Sequence, residues 1–204
     1  MKRLKVAVML LVLAITASAV LADTIAYVVP AGTQSNQGAG LGPIGMDFDV
    51  NSAIVVTQLG VFDAGEMGLA LPLEARLYER KSTVSNCNAA CDVNLLATLD
   101  FTPDDPGTLV DASVFKPLDN PVTLPAGFKG TIVASGFGVD QGIANGFGNQ
   151  TVPWTTNDGG GLISFVGSGR FGDAALGLDQ FPFVVDGGPV NRYAAGTFMF
   201  KAAE

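Results

Sequence analysis

Leu73-Glu74-Ala75-Arg76-Leu77-Tyr78 alternates small or aliphatic side chains with polar or amphipathic ones, and this period of two governs the reading of the whole chain. In an extended backbone successive side chains point to opposite faces. Leu73, Ala75 and Leu77 therefore share one face, and Glu74, Arg76 and Tyr78 the other. The pattern recurs in Leu95, Ala97, Leu99 and Phe101, in Phe128, Gly130, Ile132 and Ala134, and in Ala194, Gly196, Phe198 and Phe200. The run Ile54-Val55-Val56-Thr57-Gln58-Leu59-Gly60-Val61-Phe62 is apolar on both faces, as a strand in the middle of a sheet would be. Beyond Ala22 no segment keeps an i, i+3, i+4, i+7 apolar stripe over three turns, because glycine interrupts every candidate.

The segments between these runs have turn chemistry. Asp63-Ala64-Gly65, Pro103-Asp104-Asp105-Pro106-Gly107, Leu124-Pro125-Ala126-Gly127 and Asp186-Gly187-Gly188-Pro189 place proline, aspartate and glycine where a chain reverses. Many short strands at close spacing predict an all-β fold, an antiparallel two-sheet sandwich of jelly-roll-like type.

Working outward to the N-terminus, Lys2, Arg3 and Lys5 precede an apolar run from Val6 to Val20, and Val20-Leu21-Ala22 offers a cleavage site. This predicts a signal peptide over 1–22, a single β-sandwich domain over 23–204, and a secreted or periplasmic location. The run is short for a membrane span, no second one follows, and no cysteine near the cut suggests a lipid anchor. Removing 1–22 takes Lys2, Arg3 and Lys5 from the 11 basic residues and none of the 19 acidic ones, leaving a net charge of −11. Such a surface argues against nucleic acid and anionic membrane as partners.

The chain has no histidine. That excludes a Ser-His-Asp triad, a Cys-His pair and the usual zinc or copper ligand sets. Cys87 and Cys91 are the two cysteines. An even count in an exported protein reads as a disulfide, here closing a very short loop, whereas a metal site of two thiolates without histidine would be half built.

The stretch Phe48-Asp49-Val50-Asn51, then Ile54 to Asp63, Gly65, Gly68-Leu69 and Leu77-Tyr78, resembles the DUF4082-type sandwich found in exported bacterial proteins that carry the PEP-CTERM sorting signal. Pro121 to Phe128 and Asn191 to Phe198 fit the later part of that pattern. The resemblance implies the fold and an exported setting but no activity. The chain ends at Glu204 without a Pro-Glu-Pro motif, so the resemblance implies release or loose association rather than envelope sorting.

Three groups of residues invite a functional reading. Asp104 and Asp105 in their turn, with Asp100 and Asp111 nearby and Asp47 and Asp49 alternating elsewhere, could supply oxygens to calcium. They lack EF-hand spacing, and aspartate in turns ordinarily bonds its own backbone. Trp154, the sole tryptophan, stands near Asn157 and Asp158, a grouping able to stack a sugar ring and bond its hydroxyls. The competing reading has Trp154 plugging the sandwich with its indole N–H on a carbonyl. Glu66, Glu74, Glu79 and Glu204 stand in no setting that marks a glycosidase acid. The triplet Asn149-Gln150-Thr151 matches a glycosylation acceptor by coincidence in such a chain.

The expectation is an exported, non-enzymatic module that binds a glycan, a surface or an extracellular protein, with no cofactor beyond a possible calcium. The alternatives are a structural envelope or matrix component, and a carboxylate-based hydrolase. Binding gains if Trp154 and the glycine-rich loops line the main concave surface.

Overall fold

The computed structural model describes residues 23–38, 40–81, 92–146 and 153–204. The predicted leader 1–22, the Cys87 and Cys91 pair and the Asn149-Gln150-Thr151 triplet lie outside the described residues.

Fifteen strands follow in order: β1 (Thr24–Ile25), β2 (Tyr27–Val28), β3 (Ile44–Val50), β4 (Ile54–Phe62), β5 (Leu73–Arg80), β6 (Val93–Phe101), β7 (Thr108–Val110), β8 (Ser113–Leu124), β9 (Lys129–Ser135), β10 (Ala144–Asn145), β11 (Thr155–Thr156), β12 (Ile163–Phe171), β13 (Val184–Val185), β14 (Tyr193–Ala194) and β15 (Gly196–Ala202). Two single 3₁₀ turns, Ala64–Glu66 and Ala174–Leu176, are the helical pieces among the described residues. One sheet runs β1-β15-β4-β8-β7 and the other β13-β12-β3-β9-β5-β6, with β2 pairing β11 and β10 pairing β14 in two small ribbons. Every pairing is antiparallel. The chain passes from one sheet to the other between β1 and β3, after β3, β4, β6 and β8, and again before β15, which gives the sandwich its jelly-roll-like course.

The inward faces follow the alternation. Ile44, Met46, Phe48 and Val50 of β3 and Leu73, Ala75 and Leu77 of β5 meet Ile54, Val56, Leu59 and Val61 of β4 and Phe198 and Phe200 of β15 in one apolar core. The rings of Phe48 and Phe198 lie 4.7 Å apart, and those of Phe198 and Phe200 5.6 Å apart. Gly130 stands opposite Phe48 across the β3–β9 pair, and a Cβ there would lie 2.2 Å from the Phe48 ring. The small residue is thus the seat for the large one. The β15 segment lies between β1 and β4, inside its sheet, as its alternation predicts.

One predicted face is broken. Leu95 was expected beside Ala97, Leu99 and Phe101, but the β5–β6 ladder shifts register: Leu77 pairs Ala97 while Tyr78 pairs Leu95. Leu96 is the extra residue, and the bulge turns Leu95 to the opposite face, where it is 49% exposed.

Candidate functional site

Four segments join beside the sandwich: the described residues 30–38 and 40–43 after β2, 136–146 around β10, the Pro153-Trp154 approach to β11, and 186–194 from the end of β13 through β14. Gln37 bridges Ile143, Asn145 pairs with Tyr193, and Gly146 N donates to Arg192 O at 2.8 Å. The Asn36 side chain clamps the backbone of Asn145, donating to its carbonyl and accepting from its N–H, each at 2.8 Å.

Trp154 sits under this cluster. It is buried against Val29, Phe62, Ala112, Ala144 and Ala194, and its indole N–H donates to the carbonyl of Asn191 at 2.8 Å. The same side chain lines a groove of about 400 Å³ with Pro30, Thr33, Gln34, Asn36 and Pro153. This is the largest of the three concavities described here, and no lining residue is charged. Its lip is held from behind: Gly32 N donates to Glu66 Oε1 at 2.5 Å, and Gly65 N to Thr33 O at 2.8 Å.

Asn157 and Asp158 are not brought to Trp154. They follow β11 as exposed residues whose carboxamide and carboxylate accept from Gly159 N and Gly160 N at 3.1 and 2.9 Å, and neither lines the groove. Local backbone bonding of this kind is what short polar side chains do in turns. Asp105 is likewise engaged: its carboxylate takes Lys116 Nζ at 2.5 Å, and Lys116 also donates to Asp100 O at 2.8 Å. Asp104 is exposed at the same turn. Among the described residues no three acidic or thiol side chains gather as a metal would require.

Beyond Asn145 lies a second concavity of about 250 Å³ lined by Gln37, Leu41, Phe171, Asp186, Arg192 and Tyr193, among others. Asn145 lines this pocket and the Trp154 groove alike. Asp186 is its hub: Arg192 Nη1 donates to both carboxylate oxygens at 2.6 Å, Gly188 N donates at 2.6 Å, and the Tyr193 hydroxyl donates to Oδ2. Burial pulls the Asp186 carboxyl up, but the bonds from Tyr193, Arg192 and Gly188 outweigh it and hold it below the ordinary value. Burial first, then the Asp186 bond and charge, push the Tyr193 hydroxyl well up. Arg192 Nε donates to Asn145 Oδ1 at 2.7 Å, and the Asn145 amide donates on to Gln37.

The third concavity, about 290 Å³, lies on the outer face of the six-stranded sheet around Asp47, Asp49, Arg80, Lys129 and Arg170. Asp47 and Asp49 do point the same way, but into cations. Arg170 Nε meets both Asp47 oxygens at 2.8 and 2.9 Å, Thr131 donates to Asp47 at 2.6 Å, and Asp49 takes Arg80 and Lys129 at 2.9 and 3.1 Å.

The sequence reading missed Asp186, Arg192, Tyr193, Asn145 and Gln37. Asp186 was visible only as a turn residue, and its bond to Gly188 N is a turn bond of that kind. Nothing in the chain signals that Asn145 meets Arg192 from 47 residues away. No family model matches this chain, and comparison with curated proteins gives no match.

Proposed function

We propose that this is an exported, non-enzymatic β-sandwich module that binds a neutral extracellular glycan in the Trp154 groove. The observation that carries the reading is the lining: the exposed Pro30 and Pro153 and the 6%-exposed edge of Trp154 give apolar surface, Thr33, Gln34 and Asn36 give hydroxyl and amide groups, and no lining residue is charged. Apolar faces with a few oriented polar anchors suit a sugar ring. An uncharged groove on a chain this acidic also selects against acidic ligands. The predicted leader supports export, and a disulfide between Cys87 and Cys91 belongs to that same proposal.

Pull-down on immobilised neutral and acidic polysaccharides tests this. Wild type is expected to be retained on a neutral polymer, and Gln34→Ala, an exposed change, is expected to reduce retention about tenfold. Retention on none of the polymers, or equal retention of Gln34→Ala, would overturn the reading.

A second reading, a self-associating matrix component, is favoured by one observation. Among the described residues β6 is a nine-residue edge strand with a single charged residue and no proline, whereas the part of β8 beyond its β7 pairing carries Pro117, Pro121, Lys116 and Asp119. Long unprotected edges invite pairing with another chain. Sedimentation at high concentration separates the two readings: a monomer throughout excludes the matrix role.

A further inference from the structure

We infer that the pocket beyond Asn145 is a second subsite of the same surface, shaped for one uncharged sugar ring, so that the protein recognises a glycan of at least two units. This rests on the reading of the Trp154 groove as a glycan site. Three observations carry it.

The two concavities meet at a common residue: Asn145 lines both, and its backbone is clamped by Asn36.

The pocket's polar wall is buried and oriented. Asp186, Tyr193 and Asn145 are each at most 8% exposed. Both Asp186 oxygens already accept two hydrogen bonds, so Asp186 is a positioning residue that fixes Arg192 and Tyr193. The Tyr193 hydroxyl spends its proton on Asp186 and keeps acceptor capacity. The exposed Gln37 accepts from Asn145 and keeps its own amide protons for a ligand. The pocket thus offers sugar hydroxyls both a donor and an acceptor. The charges of Asp186 and Arg192 cancel, which favours a neutral ring over an acidic one.

The opposite wall is apolar. Leu41, Ile44 and Phe171 line it, and Phe171 keeps 38% of its surface exposed although it ends a strand. An exposed aromatic beside a polar wall offers stacking to the C–H face of a sugar. Gly42 and Gly172 close the floor so tightly that a Cβ on Gly42 would lie 2.4 Å from Gly172 O. A side chain at Gly42 would therefore collide with the backbone of Gly172.

The test is calorimetric titration of neutral gluco- and manno-oligosaccharides of one to four units into wild type, Gln37→Ala, Phe171→Ala and Gln34→Ala, each checked for a cooperative melt. Affinity in wild type is expected to rise at least tenfold from one unit to the longer chains. Gln37→Ala and Phe171→Ala should abolish that rise, while Gln34→Ala weakens every length. If Phe171→Ala does not fold, the exposed Gln37→Ala carries the test. A rise with length that both pocket variants retain, or no rise at all, overturns the subsite and leaves the groove reading standing. No binding of any length by wild type overturns the groove reading, and the subsite with it.

Discussion

Phe198 and Asp186 are both buried, yet they belong to regions built in opposite ways. Between the sheets, Phe48, Phe198 and Phe200 pack in the apolar core, and their contribution is proportional to area and indifferent to pH. In the loop cluster, Asp186, Arg192, Tyr193 and Asn145 are joined by directional bonds that depend on charge state. The first region resists unfolding through close packing of apolar surface. The second holds exact geometry and contributes less net stability, because desolvation of its charges offsets much of their attraction. That division lets the loops carry a site while the sandwich carries the fold.

The sharpest way to break the comparison is to damage each region alone. Phe198→Ala should cost about 3–5 kcal/mol, a large share of a typical domain's about 5–15, by urea denaturation. A chain ending at Asn191 lacks β14 and β15 and should show no cooperative melt. Both losses should be the same at pH 4 and pH 7.

Asp186→Asn should cost less, about 1–3 kcal/mol at neutral pH, since it weakens one network and leaves the core intact. Its mark is pH dependence. The carboxyl's folded-state value lies below the ordinary 3.8, so its contribution is fully present above 3.8 and is lost as pH falls through the lowered value. Wild type should lose this increment on acidification, and Asp186→Asn should not. Equal acid sensitivity of the two proteins would remove Asp186 from its role as hub.

Trp154→Phe should cost about 1 kcal/mol, because it removes the indole donor and leaves the Asn191 carbonyl buried without it. Asp63→Asn should act in the other direction. Burial raises the Asp63 carboxyl above 3.8, Glu66 adds to this, and Oδ1 has no partner. Ionising it therefore destabilises the fold as pH rises from 3.8 through the raised value. The asparagine variant should melt higher than wild type at pH 7 and no higher at pH 3.

The same division explains what could be read from the chain. A period of two is local, so the inward sets of β5, β9 and β15 were legible without knowing any partner. Leu95 was misassigned because the Leu96 bulge is set by the β5 ladder and not by residues 93–101 themselves. For Trp154 the need for a carbonyl was legible, but its identity was not, since Asn191 lies 37 residues away. Asp104 and Asp105 looked like oxygen donors because Lys116, which takes Asp105, is placed by the turn back into β8. The Asp186 network was invisible for the same reason, being assembled from three segments that only the finished sandwich brings together.

Because Trp154 is the sole tryptophan and lines the groove, its intrinsic fluorescence reports directly on the central claim. Titration of wild type with a neutral tetrasaccharide should give a saturable change in Trp154 emission, and Gln34→Ala should shift its midpoint about tenfold higher. Folded wild-type protein whose emission is unmoved by every neutral oligosaccharide, or a midpoint unchanged in Gln34→Ala, would contradict the account.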